Sequence, residues 1–340
     1  MWIDRDGEFP DPTTMRAVLT LATHAPSVHN TQPWHWVVGP RSLHLYADPS
    51  RHLPQTDPDR RDLLLSCGAT LHHCTVALAA MGWRASVRRL PDPADRDLLA
   101  TIEVTRQPPE DLDVMLAAAI TRRRTDRRHY SSWPVPWGDI ALMGARAARA
   151  GVMLRQIDLL PRLRETITES VARHAADPDY LAELSAWSGR YGSLAGVPAR
   201  NAPDPDPAAE VPARVFAGPA LRQPSHTSAA DDRAVLLALG TEADDDLARL
   251  RAGEATSLVL LSATAMGLAT CPVTEPLEIP QTREAVRADV FGSGGYPQML
   301  MRVGWAAVDA EPLPATPRRP LPDVADWLHD GAVSGGAVVR

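Results

Sequence analysis

Lysine is absent from all 340 residues, so each of the 35 basic side chains is an arginine. Without a lysine amine there can be no Schiff-base chemistry and no Walker A phosphate loop. Cysteine is almost as scarce. Three residues in no clustered framework exclude a disulfide-stapled fold and point to a reducing compartment. No uninterrupted apolar stretch approaches the length needed to span a bilayer, and Met1 to Glu8 lack the basic-then-apolar layout of a signal peptide. A cytoplasmic protein with no membrane partner is therefore expected. A Gly-x-Ser-x-Gly hydrolase elbow is missing too. Gly292-Ser293-Gly294-Gly295 is no dinucleotide fingerprint, for want of a strand before it, a helix after it and a distal acid; it reads as a turn. Cys67, His72, His73 and Cys74 suggest zinc at first sight, yet consecutive residues point about 100° apart on a helix, and Cys67 lies a turn or more away. No metal is expected; the four read as core cysteines and helix-surface histidines.

What is present fits an ordinary globular protein. Hydrophobic residues make up 44% and charged residues 23%, and the chain is long enough for one large or two modest domains. A net charge of −7 gives no general attraction to nucleic acid, and no nucleic-acid partner is expected. Arginine clusters must then be read locally. Asp11-Pro12 has the form of a helix start, with Met15, Val18, Leu19 and Ala22 following at helical spacing and Pro26 ending the run. Residues 34–38 and 43–46 read as strands around a turn at 39–42.

Residues 61–81 are apolar on most faces and close at Gly82, which predicts a helix buried nearly all round. A comparable run, 255–266, closes at Gly267, and each is followed later by a strand, 101–105 and 299–303. Either the chain contains a diverged duplication, as fusion of a homodimer would produce, or two Ala/Leu-rich helices merely look alike. On the first reading, residues 1–110 form one repeat and 111–340 the other. Within the second, Pro198, Pro203, Pro205, Pro207, Pro212, Pro219 and Pro224 interrupt any regular backbone pairing, marking an insertion at about 174–230. Tyr180, Leu184, Trp187 and Tyr191 recur at three- or four-residue steps, which favours a helix and then an ordered lid over a ligand; a disordered linker is the other reading.

Two segments carry chemistry. Residues 25–34 read Ala-Pro-Ser-Val-His-Asn-Thr-Gln-Pro-Trp, a polar helix-to-strand loop of the kind that presents ligand groups. Arg122-Arg123-Arg124-Thr125-Asp126-Arg127-Arg128 offers guanidiniums, whose planar fork matches phosphate oxygens. Alone, such a run serves more often as a solvated face or an ion-pair network. Together the two suggest a phosphorylated aromatic ligand.

Pro-Ser-x-x-Asn-x-Gln-Pro-Trp, from Pro26 to Trp34, followed elsewhere by Arg-Arg-Thr-x-Arg, from Arg123 to Arg127, resembles the flavin-binding signature of the nitroreductase family, and most of all its fused two-repeat Acg-type branch. The resemblance extends to 266–272 and 297–304, so it covers most of the chain outside the insertion. It implies an α+β fold of two fused nitroreductase-like repeats, each a mainly antiparallel sheet among helices. The repeats would form a pseudo-dimer clasped through two central helices, with FMN at their interface and a lid.

By resemblance, Arg123, Arg124 and Thr125 would meet the phosphate and ribityl chain, and Arg318 and Arg319 would close the phosphate site. Arg127 would approach the pyrimidine end, where a cation stabilises negative charge on reduced flavin and raises its potential. Pro26, Ser27 and Val28 would supply the edge contributed by the partner repeat, while Asn30, Gln32 and Trp34 would hold the loop and interface in shape; Trp36 reads as core. Pro272, Val273, Thr274 and Glu275 would follow the reactive edge, with a backbone amide near Thr274 or Glu275 on N5. Family members usually place glutamate then glycine at those last two positions.

The first repeat has the Pro-Ser loop without the arginine segment, and the second has the reverse. One FMN per chain follows, in an internal pseudo-dimer that is otherwise monomeric. The implied activity is two-electron transfer from transiently stacked NADH or NADPH through FMN to a small electron-poor acceptor, a nitroaromatic or quinone. No side chain is assigned as catalytic, because the isoalloxazine carries the chemistry. The rival reading is a flavin-sequestering or storage protein whose lid leaves little or no turnover.

Overall fold

The computed structural model describes residues 9–189 and 192–328; the expectations for Met1 to Glu8 and for Tyr191 lie outside them. Asp11 caps α1 (Pro12–Ala22) by accepting from the amides of Thr13 and Thr14, and Pro12 fills the first helical position, where no amide is needed. The polar loop leads into β1 (Trp34–Val38) and β2 (Leu43–Ala47), then α2 (Arg61–Ala80), β3 (Trp83–Arg89), β4 (Leu98–Arg106) and α3 (Asp111–Ile120). The second half runs α4 (Trp137–Arg149), β5 (Met153–Ile157), α5 (Pro161–Ala175), α6 (Pro178–Ala186), β6 (Val235–Thr241) and α7 (Asp246–Ala265). It continues with β7 (Ala269–Val273), α8 (Glu275–Glu278), α9 (Pro280–Val286) and β8 (Tyr296–Gly304), and β9 (Ala325–Trp327) returns to the first sheet.

Strand order is the same in both halves: β3-β4-β2-β1 in the first sheet and β7-β8-β6-β5 in the second. Neighbours pair antiparallel except β9, which adds parallel to β1. The fold is thus α+β, built from two fused repeats. α2 and α7 cross where Gly68 meets Gly253. A Cβ on Gly68 would lie 2.1 Å from the Leu250 carbonyl oxygen, and one on Gly253 2.1 Å from that of Leu65. His72 Nδ1 lies 2.8 Å from Ser257 Oγ, 185 positions away. That shift also carries Leu65 to Leu250, Gly68 to Gly253 and Gly82 to Gly267. Equivalent residues in reciprocal contact are what a twofold axis through the crossing produces, and this favours duplication over chance likeness.

Two expectations change here. By length and composition α2 could cross a membrane, with a mean hydropathy of 1.5, although 78% of its apolar window is buried within the molecule. Because α1, α3 and α7 all pack against α2, His73 is wholly buried and His72 is half-buried against Ser257, so neither is a helix-surface histidine. Cys67 and Cys74 are buried, and among the described residues no group of His, Cys, Asp and Glu could hold a metal.

The insertion joins β5 to β6 across 158–234, where the first repeat has only the turn at 39–42. It begins earlier than the expected 174–230 because α5 belongs to it. α6 buries Tyr180 and Leu184 in a cluster with Val197, Ala202 and Phe216, so the segment is packed as a lid.

Candidate functional site

One cavity at the seam of the repeats collects three of the singled-out segments. Pro26, Ser27 and Val28 line it from the first repeat, Thr125 and Arg127 from the arginine segment, and Pro272, Val273, Thr274 and Glu275 from the end of β7 into α8. Ala69 of α2 and Leu260 of α7 complete an apolar wall between them.

The first loop is held in an uncommon shape. His29, Asn30 and Gln32 have left-handed backbones (φ 44°, 53° and 54°), which cost non-glycine residues about 1–3 kcal/mol each. A local hydrogen bond and several long-range ones hold it there. Ser27 Oγ accepts from the Gln32 amide at 2.9 Å, and the Val28 amide donates to Ser66 Oγ of α2 at 3.1 Å. Asn30 Nδ2 donates to the carbonyls of Gly196 (3.0 Å) and Pro317 (3.2 Å), and Gln32 Nε2 to that of Leu194 (2.9 Å). Asn30 and Gln32 therefore tie the loop to the lid and the C-terminal tail without lining the cavity. Trp34 and Trp36 are both wholly buried in the first core.

Arg123, Arg124 and Arg318 form a second grouping. Arg123 is buried, and Arg318 reaches in from the tail to donate to Asn30 Oδ1 (3.2 Å) and the His24 carbonyl (2.9 Å). Among the described residues neither Arg123 nor Arg318 has a carboxylate partner, and the Nε of each is buried with no acceptor. Burial, then the neighbouring guanidiniums, brings Arg123 down to about 9 and Arg318 to about 10. Cations crowded in this way without an acid call for an anion. The remaining arginines go elsewhere. Arg122 is exposed, Arg128 makes a forked pair with Asp126 at 2.9 Å, and Arg319 pairs with Asp48 at 3.4 Å while its amide donates to Gln32 Oε1. The tail pair expected to close one site together is thus split, with Arg318 in the cluster and Arg319 bracing the loop.

Sequence reasoning missed the lid's own contribution. Arg214 enters the cavity from the lid and donates to the Tyr180 hydroxyl, His29 Nε2 (2.8 Å), Thr274 Oγ1 (3.2 Å) and Glu278 Oε1 (2.5 Å). His174 stacks on Tyr180 (3.9 Å between centroids) and lies 3.1 Å from Glu275 Oε1. Burial would raise the Glu275 carboxyl, but Arg214 and His174 outweigh it and hold it below its usual range. Arg127 lies over the Phe216 ring at 4.8 Å. In the sequence the only hint was an arginine set between Val211-Pro212-Ala213 and Val215-Phe216, a weak signal in a proline-rich stretch.

The symmetry-related place is filled. The shift of 185 carries Ala69 to Glu254 and Arg89 to Thr274, and Arg89 forms a two-pronged bond with Glu254 at 2.6 and 2.8 Å. Side chains that leave room in one half close it in the other.

No protein-family profile matches the chain. Two Mycobacterium tuberculosis proteins, each named “Putative NAD(P)H nitroreductase”, are close in sequence. Rv3131 is 65% identical over 322 residues, covering 95% of this chain and 94% of its own, and acg is 36% identical over 323 residues, covering 91% and 94%. The chain belongs to the nitroreductase family, in the branch that contains acg. A solved structure of the FMN-dependent nitroreductase NfnB from Mycobacterium smegmatis in complex with NADPH matches with a TM-score of 0.41 and 16% identity, over 64% of this chain and 100% of that one. Membership rests on the sequence relatives alone.

Proposed function

We propose that this chain is an FMN-dependent, NAD(P)H-linked oxidoreductase acting on small electron-poor molecules such as nitroaromatics or quinones. The observation that supports the reading is an apolar slot edged by Thr125 and Arg127, with a partly buried cluster of Arg123, Arg124 and Arg318 that does not line the slot but adjoins it in the chain at Thr125 and has no acid partner among the described residues. A planar ring with a phosphate tail has that shape and charge. Arg123, Arg124 and Arg318 would hold the phosphate, and the unpartnered Nε atoms of Arg123 and Arg318 fit that role. The redox chemistry, hydride acceptance from NADH or NADPH and delivery of two electrons, comes from FMN when bound. The chain supplies position, a cation at Arg127 beside the ring, and a lid that excludes water. Thr274 and Glu275 edge the slot and would present backbone amides along the ring's reactive side. We take 1–110 and 111–340 as the repeats; since α2 and α7 already use the isologous surface, the chain would act as a monomer.

A second reading, flavin sequestration with little turnover, is favoured by the buried Arg214–Glu278 pair that ties the lid across the cavity. Absorption spectra decide both points. Purified protein should be yellow with an FMN spectrum, and anaerobic NADH or NADPH should bleach it. A colourless protein that takes up no added FMN overturns the cofactor assignment. Yellow protein that neither nicotinamide bleaches selects sequestration.

A further inference from the structure

His29 lines the cavity in the strained loop, and the lid decides where its ring proton sits. A guanidinium only donates, so Arg214 Nη1 at 2.8 Å requires His29 Nε2 to be an unprotonated acceptor. Burial, then Arg214 and Arg127, drives the imidazole well below its usual range, so the ring is neutral. Its one proton must therefore be on Nδ1. That atom is buried and, among the described residues, has no hydrogen-bond partner, on a residue only 6% exposed. An unpaired buried donor is unfavourable, and the left-handed backbone of His29 adds strain. Phe216, the aromatic neighbour, meets the ring edge-on at 6.1 Å and offers no acceptor atom.

We infer that His29 donates its Nδ1–H to an acceptor oxygen or nitrogen of the planar ring system that occupies the cavity, and that Arg214 is the positioning residue that fixes this tautomer when the lid closes. Lid closure and ring recognition are then one event. With Arg214 withdrawn, either imidazole nitrogen can carry the proton and the donor is no longer guaranteed.

The inference rests on the flavin-binding reading, and the test separates the two. Long-range proton–nitrogen NMR on protein labelled with ¹⁵N-histidine reads the tautomer directly, with the His29 signal assigned by its loss in His29→Gln. Expected are a protonated Nδ1 and a bare Nε2 in the FMN-free chain, and a displaced Nδ1–H signal when FMN is added. In Arg214→Met/Glu278→Met, which removes both buried charges together so that neither is left unpaired, the signal should become a mixture of tautomers and FMN should bind about tenfold more weakly. His29→Asn keeps a donor and tolerates the left-handed backbone, so it should bind FMN within about threefold of wild type, whereas His29→Leu should lose about tenfold. A proton on Nε2 in the wild type, an Nδ1–H signal unmoved by FMN, or wild-type affinity in His29→Leu each overturns the inference. Failure of the wild type to bind FMN at all sinks the cofactor reading and the ligand half of this one, while the tautomer in the ligand-free chain still tests the Arg214–His29 link.

Discussion

Arg318 and Arg319 are adjacent and equal in charge, yet one sits in the guanidinium cluster and the other pairs with Asp48. Because a charge-assisted hydrogen bond contributes about 1.5–3 kcal/mol, Arg318→Ala should weaken FMN binding roughly tenfold to a hundredfold. Riboflavin, which lacks the phosphate, should be little affected. Arg319→Ala should spare the FMN to riboflavin ratio and lower the melting temperature instead. Calorimetric titration of both flavins against both variants checks this, and unchanged FMN affinity in Arg318→Ala removes the residue from the phosphate site. Sequence identified the pair but not its division, because direction along a tail is set by the surfaces it meets. The Pro26 loop stood out for the opposite reason, since small, amide and aromatic residues recur at a recognisable spacing, although the partners of Asn30 and Gln32 in the lid and tail were not legible. Arg214 was illegible because the proline-rich stretch around it has no period to say which side chains face inward.

Asp57 gives a pH prediction at the same scale. Burial, then the neighbouring Asp62, raises its carboxyl from an ordinary 3.8 to about 8. Between those values the folded chain keeps a proton that the unfolded chain releases, so this group's contribution to stability falls as pH rises through the window. Thermal unfolding of Asp57→Asn from pH 5 to 8 should show a flatter decline than wild type. A steeper or identical slope would mean that Asp57 does not hold the proton.

At the scale of elements, α2 and α7 touch backbone to backbone at Gly68 and Gly253. Any Cβ there must push the helices apart, because the obstacle is a carbonyl oxygen at 2.1 Å. Gly253→Ala should therefore destabilise the fold by about 1–3 kcal/mol or more, read as a lower midpoint in urea. Flavin retention should suffer with it, since the cavity lies along the same seam. A midpoint equal to wild type would show that the crossing is not this tight. Helix and strand periods revealed α2, β1 and β2 well, because burial on all faces of α2 and alternation in β1 and β2 leave plain patterns; α7 begins at Asp246, nine residues before the expected 255, because its charged first turns break the apolar run. The start of the insertion was misplaced because α5 is an amphipathic helix like any repeat helix, and nothing in its residues says that β5 and β6 would otherwise be neighbours.

On the scale of the whole molecule, the two repeats keep the same architecture but differ in what fills their equivalent pockets. The first half's equivalent place is closed by the Arg89–Glu254 pair, held at 2.6 and 2.8 Å and largely shielded from solvent. Undoing it for a ligand would strand a partly buried carboxylate or guanidinium, which is strongly unfavourable. The lid, too, exists once, between β5 and β6 and not between β1 and β2. Even a flavin forced into the mirror pocket would lack the cover that Arg214 and Phe216 would give the other, so two half-occupied sites are not expected. Saturating the protein with FMN, removing the excess and comparing flavin absorbance with protein mass should give one FMN per polypeptide. Arg89→Ala/Glu254→Ala, which reopens the mirror pocket while leaving the lid side untouched, should still give one, because the mirror pocket has no lid to cover a ring. A ratio of two in the wild type would mean that the halves have not diverged in function, and the assignment of one composite site per chain would be lost.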